Sequence, residues 1–536
     1  MNFKKILNTK KYRIAIIISA AALVVLLFSI NIILSGIINN IVKPKLLGKI
    51  NSNEINVKVE NASYSIFTNR ITVTNAVISN YKDADTLNIK INSVGIKPDW
   101  FHLAFKDGYN FREIMIDEVI FNQSYLPGVD SAKENEKTDF PALVENLRYK
   151  LPRFYADYIG INSGFITRHN KKTGLTDSIQ NISLKIDYLE IDSSAAVNKK
   201  LKIAENINMT IEKAGLYFGE IRYSLSFDSL LISSQEDILS LRNLDFSPYM
   251  SDANFFRGRI YRADRFRLSI NKFDITRLNF QKLFYKNTLY ADSLRIAAFT
   301  LDALTNMRLP SDPNGAPPEM PNKAIEDIPF KLNLKKIELI SGNIFVKELY
   351  PYDEKPGILQ FADLDASITG VKNNGTAHLL INTKLTGSGA LNINFDLGLN
   401  PDEFRFSYSG KLKSMAATDL NKFIVVSDRV QVMTGNIKEI TFNINAKGDS
   451  ASATVTPYYS ELKIHELDEE TGKASDLISK FNSFVANTFV IKKNNPDGDE
   501  QVQSASTVYI RKKDDAFLEY VWIALRKALG SIVGFS

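Results

Sequence analysis

The chain has 536 residues, more than one compact core usually holds, and its 44% hydrophobic and 24% charged content is that of a folded protein. It has no cysteine, which excludes disulfide stapling, thiolate catalysis and cysteine-type zinc sites. The net charge is +6, but Lys4, Lys5, Lys10, Lys11 and Arg13 supply five of those charges, so the body is near neutral and lacks the concentrated basic face that nucleic-acid binding needs.

The first predicted element is a membrane-spanning helix over 14–38, reading IAIIISAAALVVLLFSINIILSGII. Its only interruptions are Ser19, Ser29, Asn31, Ser35 and Gly36, and about 20 apolar residues suffice to cross a bilayer core. The basic segment 1–13 is expected to stay cytoplasmic, with the body on the far side. The alternative is a cleaved signal peptide. The apolar run exceeds the usual 7–15-residue core of such a peptide, and no small-x-small site closes it.

From residue 55 the pattern is that of strands. In 87–96, Leu87, Ile89 and Ile91 alternate with Asn88, Lys90 and Asn92. In 182–188, Leu184 and Ile186 continue the same alternation, and in 391–399 Leu391, Ile393, Phe395, Leu397 and Leu399 do so most strictly. Strict period-two alternation means a sheet with one dry and one wet face, usually antiparallel. Short polar breakers such as 81–85, 170–174 and 372–376 read as turns, and 127–141 and the proline-rich 309–321 as flexible insertions. Short helices are expected near 99–106, 141–151, 275–286, 414–425 and 474–488. They are too few to cover so many strands. The apolar face must therefore be closed by a second sheet, closed as a barrel, or left as a groove for an apolar ligand.

Two weak repeats run through the body. Residues 160–186 resemble 338–368: each is strand, Ser-Gly (Ser163-Gly164 and Ser341-Gly342), strand, polar loop and strand, and 434–444 begins the same way with Thr-Gly-Asn-Ile. Residues 98–121 resemble 274–299, each a short helix leading into a strand. Such repetition suggests a sheet extended by stacking units.

The last element, 513–536, has helical spacing. Phe517, Leu518, Val521, Trp522, Leu525, Ala528, Leu529 and Ile532 fall on one arc, with Glu519, Arg526 and Lys527 opposite. It is too short and too charged to span a bilayer. It is expected to cap the end of the sheet, covering the last strand edge, or to lie on a membrane or partner with Trp522 near the interface.

Motifs for chemistry are sparse. His102, His169, His378 and His465 are far apart and have no ligand spacing, so no metal is expected. Asp83 and Asp85 form Asp-x-Asp in a turn. The basic-aromatic run 255–267 reads as a charged outer face or a headgroup contact. There is no phosphate loop, no nucleophile elbow and no dinucleotide fingerprint. No cofactor and no enzymatic activity are expected.

Taken together, three features resemble the AsmA-like proteins of diderm bacteria. They are the anchor followed at once by the strand pair 55–78, the recurring Ser-Gly strand unit, and the ordered C-terminal segments 417–464, 483–496 and 508–529. The resemblance implies a mainly β fold: an N-terminal transmembrane helix, then an elongated, curled antiparallel sheet (a β-taco or groove), a few short helices and a C-terminal amphipathic helix. It divides the chain into 1–13, 14–38, a repeat-like groove over 39–413, a C-terminal β region over 414–512, and the helix 513–536. It implies a single-pass protein of the inner membrane with a periplasmic body, which carries lipid, a phospholipid by expectation, toward the outer membrane. The lining residues would be Ile89, Ile91, Leu184, Ile186, Ile393, Phe395 and Leu397. Partners would be membrane lipid and an outer-membrane or periplasmic protein. The competing reading is a non-enzymatic scaffold for envelope proteins that binds through sheet edges.

Overall fold

The computed structural model of the chain describes residues 10–51, 55–82, 85–105, 108–127, 154–191, 204–468, 492–498 and 500–533. The fold is mainly β. The strands are β1 (Ile55–Ser65), β2 (Arg70–Lys82), β3 (Asp85–Pro98), β4 (Tyr109–Tyr125), β5 (Phe154–Asn170), β6 (Thr176–Gln180), β7 (Ser183–Ile191), β8 (Asn206–Ile211) and β9 (Lys213–Phe218). They continue with β10 (Tyr223–Phe227), β11 (Ser229–Ser233), β12 (Ile238–Pro248), β13 (Asp264–Thr276), β14 (Thr288–Asn306), β15 (Lys331–Leu349), β16 (Gly357–Lys372) and β17 (Thr376–Leu385). The last are β18 (Gly389–Gly398), β19 (Arg405–Ala416), β20 (Val430–Lys447), β21 (Ser450–Glu466) and β22 (Ala505–Ile510). The helices are α1 (Lys10–Ile37), which runs through a π turn (Ile38–Val42) into α2 (Lys43–Ile50), then α3 (Trp100–Phe105), α4 (Asp252–Phe256), α5 (Phe280–Lys286), α6 (Pro321–Glu326), α7 (Asn421–Ser427) and α8 (Phe517–Val533). The helices expected near 99–106, 275–286 and 414–425 are α3, α5 and α7. Those expected at 141–151 and 474–488 lie outside the described residues.

The chain forms two compact units, Met1–Leu216 with Leu230–Gln235, and Tyr217–Ser229 with Glu236–Ser536. In the first, β1 to β5 pair in order, β7, β8 and β11 continue from one stretch of β5, and β6 and β9 from the other. In the second, β10 pairs with β12, and each strand from β12 to β22 pairs with the next. The boundary expected at 413/414 runs through one core of the second unit, which joins Leu391, Phe406 and Leu412 to Ile437, Phe442 and Val455.

The sheet is mixed in both units rather than antiparallel throughout. β4 and β5 run parallel, as do β14 and β15. A parallel pair needs a connection of a dozen or more residues to bring the chain back. That explains the insertions expected at 127–141 and 309–321: the first lies in the connection 126–153 from β4 to β5, and the second in the connection 307–330 from β14 to β15. The second is packed. Met320 and Asn322 are buried, and Asn322 Nδ2 donates to the carbonyl of Asn400 (2.9 Å).

The parallel crossovers also explain the repeats. Each unit contains strand, short helix, long strand, parallel return, and a strand that opens or contains Ser-Gly: β3–α3–β4–β5 and β13–α5–β14–β15. The Ser-Gly pair marks a local irregularity in the ladder. Gly164 lies against Ile182, Gly342 pairs with Leu364, and Gly435 lies against Leu462. The residue before each apolar partner is left-handed: Asn181 (φ 53°), Asp363 (φ 50°) and Glu461 (φ 59°). At Gly342 the absence of a side chain is required, because a Cβ there would overlap the Phe299 ring.

These irregularities shift the phase of the side chains. In the second unit Ile270 and Phe273, Ile296 and Phe299, and Phe361 and Leu364 belong to one hydrophobic cluster although each pair is three residues apart. An undisturbed strand would place them on opposite faces. The slip falls at one level in neighbouring strands, so the apolar face stays continuous.

Candidate apolar binding face

The apolar face of the first unit is built by register. Directly paired residues share a face. Ile71, Ile96, Ile114, Ile159, Ile186 and Ile207 pair in turn across β2, β3, β4, β5, β7 and β8, a row of six isoleucines. The next row, two residues along each strand, is Val73, Val94, Ile116, Ile161, Leu184 and Met209. Beyond the phase slip lie Ala76, Ile91, Val119 and Gly164, then Ile78, Ile89, Phe121 and Ile166. Asn92 and Ser93 mark the slip in β3. Asn92 Nδ2 donates to Asp117 Oδ2 (3.5 Å), and Ser93 lines the same cavity as Asp117, so both neighbours point to the polar face. Each six-residue row spans about 24 Å at 4.8 Å per strand.

This face is not closed by any described element. The buried apolar side chains of the first unit, among the described residues, are Ala62, Ala76, Ala156, Ile211 and Ala214. The isoleucines, valines and leucine of the rows are half-exposed. The opposite face is polar. Arg70 and Lys97 both pair with Glu113, Lys97 at 2.6 Å, and a shallow cavity of about 150 Å³ lies among Arg70, Thr72, Ser93, Gly95, Met115, Asp117 and Asn162. That cavity is too small and too polar for an acyl chain.

In the second unit the C-terminal helix closes the face of the last strands. Tyr520, Ala524 and Ala528 of α8 are fully buried against Ala446, Ala451, Ala453 and Tyr509. Phe517 meets Phe395, Phe404 and Phe406 edge-on, with centroids 5.6–6.1 Å apart. The Tyr408 hydroxyl donates to the Val521 carbonyl (2.7 Å). α8 therefore packs across the face of the last strands, from Phe395 and Phe406 to Tyr509 of the final strand β22. Its line of closest approach is Tyr520–Ala524–Ala528, rotated from the arc expected from the sequence. Alanines let the helix axis come close, and the Tyr520 hydroxyl reaches the Gly448 carbonyl (3.4 Å). Val521, Leu525 and Leu529 flank that line, Trp522 sits edge-on to Phe423 (6.4 Å), and Leu518 is exposed.

The seven expected lining residues thus separate. Ile89, Ile91, Leu184 and Ile186 lie half-exposed on the first unit's open rows. Ile393, Phe395 and Leu397 pack against the core that α8 covers. The isoleucines at 71, 96, 114, 159 and 207 were not singled out. The signal that marks them is the Ile-x-Ile of 114–116 and 159–161, read together with the partner strands.

The first unit also has a covered edge. Asn31, Ser35, Asn39 and Lys43 recur every fourth residue along the helix and bond alternate residues of β1 and the residue that follows it, Ile66. The Ile66 N–H donates to Asn31 Oδ1 (2.9 Å) and the Ala62 N–H to Asn39 Oδ1 (3.3 Å). Ser35 accepts from the Tyr64 N–H (3.2 Å) and donates to its carbonyl (2.8 Å), and Lys43 donates to the Glu60 carbonyl (3.0 Å). The match is geometric. Four helical residues rise about 6.0 Å and two strand residues about 6.8 Å, so the ladders stay in step over four contacts. Two polar residues in the apolar run, Asn31 and Ser35, are thereby assigned a structural task, the shielding of an exposed sheet edge.

The basic-aromatic run 255–267, expected to be a charged outer face or a headgroup contact, is partly buried instead: Phe255 is buried, and Arg265 is 1% exposed between Asp252 (3.1 Å) and Asp302 (2.9 Å), with Lys347 also pairing with Asp302 (2.7 Å). Burial pushes the Asp302 carboxyl up, but hydrogen bonds from Lys347 and Arg265 outweigh it, and the carboxyl titrates below its ordinary range. Glu348 goes the other way: burial raises it, against a hydrogen bond from the Tyr350 hydroxyl (2.8 Å). His102 pairs with Asp99 and His378 with Asp396, both at 2.7 Å. Among the described residues no group of three or more histidine, aspartate or glutamate side chains converges to hold a metal.

No family model matches the chain, and no curated protein does. The resemblance to AsmA-like proteins rests on the sequence pattern alone.

Proposed function

We propose that the protein is a membrane-anchored, non-enzymatic lipid carrier whose first unit shields acyl chains on its open isoleucine face. The observation that carries this reading is the contrast between the first unit and the C-terminal strands of the second. Those strands bury a large core under α8, while the first unit's rows stay partly exposed with few buried apolar side chains among the described residues. A row of about 24 Å exceeds the depth of one leaflet's hydrocarbon, about 15 Å, so one acyl chain fits along it. Each methylene removed from water contributes about 0.8 kcal/mol, so the face needs no polar reaction centre to retain a lipid.

The single helix long and apolar enough to cross a membrane among the described residues supports anchoring. Its bonding to β1 through Asn31, Ser35 and Asn39 favours retention of the segment over its removal as a signal peptide, since cleavage would uncover the β1 edge. With the basic segment 1–13 in the cytoplasm, the body faces the periplasm, and the resemblance adds phospholipid as cargo between inner and outer membranes.

Site-specific photo-crosslinking in cell membranes tests the reading. A photoreactive residue at Ile91 or Ile161 is expected to capture phospholipid, and one at Lys90, on the opposite face, is not. Equal lipid capture at Lys90 and Ile91, or none at either apolar position, would sink it.

A further inference from the structure

The end of the first unit nearest the apolar helix carries exposed aromatic side chains. Phe67, at the turn between β1 and β2, is 54% exposed, and Trp100 and Phe101, at the start of α3, are 51% and 66% exposed. Large aromatics on a soluble surface cost hydration free energy, and their clustering marks a contact surface. Two observations say what that surface meets. The Phe67 ring lies 5.1 Å from the ring of Phe28, which sits inside the apolar run 14–38. The neighbouring Ile66 N–H is satisfied by Asn31 of the same run, so this end of β1 is fixed at that level.

We propose that the β1–β2 turn and the start of α3 form an aromatic foot, buried in the body-side leaflet of the membrane that α1 crosses. A span of about 20 residues beginning at Ile14 ends near Ile33, and Phe28 lies five residues short of that, about 7 Å below the boundary. That depth falls within the 5–10 Å at which interfacial elements insert. Trp100 is suited to it. Its indole N–H donates to Asn69 Oδ1 (2.7 Å), so the polar handle is satisfied within the protein while the ring stays exposed. Asp99, the residue before Trp100, is hydrogen-bonded to His102 (2.7 Å). The isoleucine row begins close above the foot, at Ile71 and Ile96 on the two strands that end there.

This inference rests on the membrane-anchor part of the reading above, not on whether the face carries lipid. The chain has no cysteine, so one introduced is unique. The full chain with Phe101→Cys or Phe67→Cys, nitroxide-labelled and reconstituted in phosphatidylcholine vesicles, is compared with Lys172→Cys in an exposed turn. The expected result is an oxygen-to-nickel-chelate accessibility ratio several-fold higher at 101 and 67 than at 172. Trp100 fluorescence in a Trp522→Phe chain is the second readout, and quenching by lipid brominated near the headgroup end of its acyl chains is expected. Labels at 101 and 67 that match 172 would overturn the foot. Labels shielded from both reagents would overturn it in favour of a protein partner. Release of the unmodified chain from membranes by alkaline carbonate would overturn the anchor and the foot together. Lipid capture at Ile91 with water-exposed labels at 67 and 101 would overturn the foot alone.

Discussion

Replacing the helix stripe that covers β1 should open that strand and little else. The triple variant Asn31→Leu, Ser35→Ala, Asn39→Leu keeps the helix apolar and removes the acceptors of three backbone N–H groups, those of Ile66, Tyr64 and Ala62. At about 1 kcal/mol net for each hydrogen bond, the loss is about 3 kcal/mol. That corresponds to about a hundredfold in the opening equilibrium of β1. Hydrogen exchange read by mass spectrometry on peptides covering 59–66 measures it directly. Protection there should fall by about that factor, while peptides from β3 and β4 keep theirs, because their ladders are complete without the helix. Unchanged exchange at 59–66 would refute the edge-capping account. An equal loss across β1 to β4 would refute its locality.

Three further outcomes follow from the packing. Gly342→Ala should destabilise the second unit by about 1–3 kcal/mol through overlap with Phe299, and Phe299→Leu should recover part of that in the double variant, as read from denaturant midpoints. Arg265→Met should cost about 3 kcal/mol or more, because Asp252 and Asp302 lose the guanidinium between them. Asp302 is depressed in the folded state, so its contribution is present above the unfolded carboxylate pKa of about 3.9 and is lost as pH falls through the lower folded value. Thermal melts of the wild type should show that acid-sensitive loss, and Arg265→Met should show less of it. Glu348 is raised, so the folded state loses stability as pH rises through the unfolded and then the folded value. Glu348→Gln should therefore raise the melting temperature at pH 7 and leave it nearly unchanged at pH 4. A variant equally stabilising at both would contradict the burial argument.

Much of the architecture was legible because period-two alternation is a local signal. Ile89 and Ile91 against Lys90 and Asn92 specify a half-dry strand without any knowledge of partners. The parallel pairings were not read, because alternation does not encode strand direction. The length of the connections at 126–153 and 307–330 was the available clue, and the prolines of 309–321 disguised a packed crossover as a loop. The phase slip was missed for a similar reason. Ile91 and Val94 lie three residues apart in the stretch 87–96, out of phase for an undisturbed strand, and only the common level of such breaks in adjacent strands shows one continuous face. Asn31 and Ser35 looked like tolerated interruptions of an apolar helix; with Asn39 and Lys43 their i, i+4 spacing was a readable stripe whose partner, the β1 edge, was not. For α8, counting only strongly apolar residues rotated the arc away from Ala524 and Tyr520, which make the closest approach. Ile393, Phe395 and Leu397 read like Ile89 and Ile91 in sequence. They differ because they pack against a core completed by a helix more than a hundred residues away, and no local pattern carries that information.

The account's central claim is that the first unit's isoleucine face holds an acyl chain. Native mass spectrometry of the full chain, released from membranes under mild conditions, tests this most directly when wild type is compared with Ile116→Asp/Ile161→Asp, two paired positions in the middle of the face. The account predicts a retained phospholipid mass on the wild type and its loss in the double variant, with hydrogen exchange of the second unit unchanged. Bare protein mass for a folded wild type, or equal lipid retention by the variant, would contradict it.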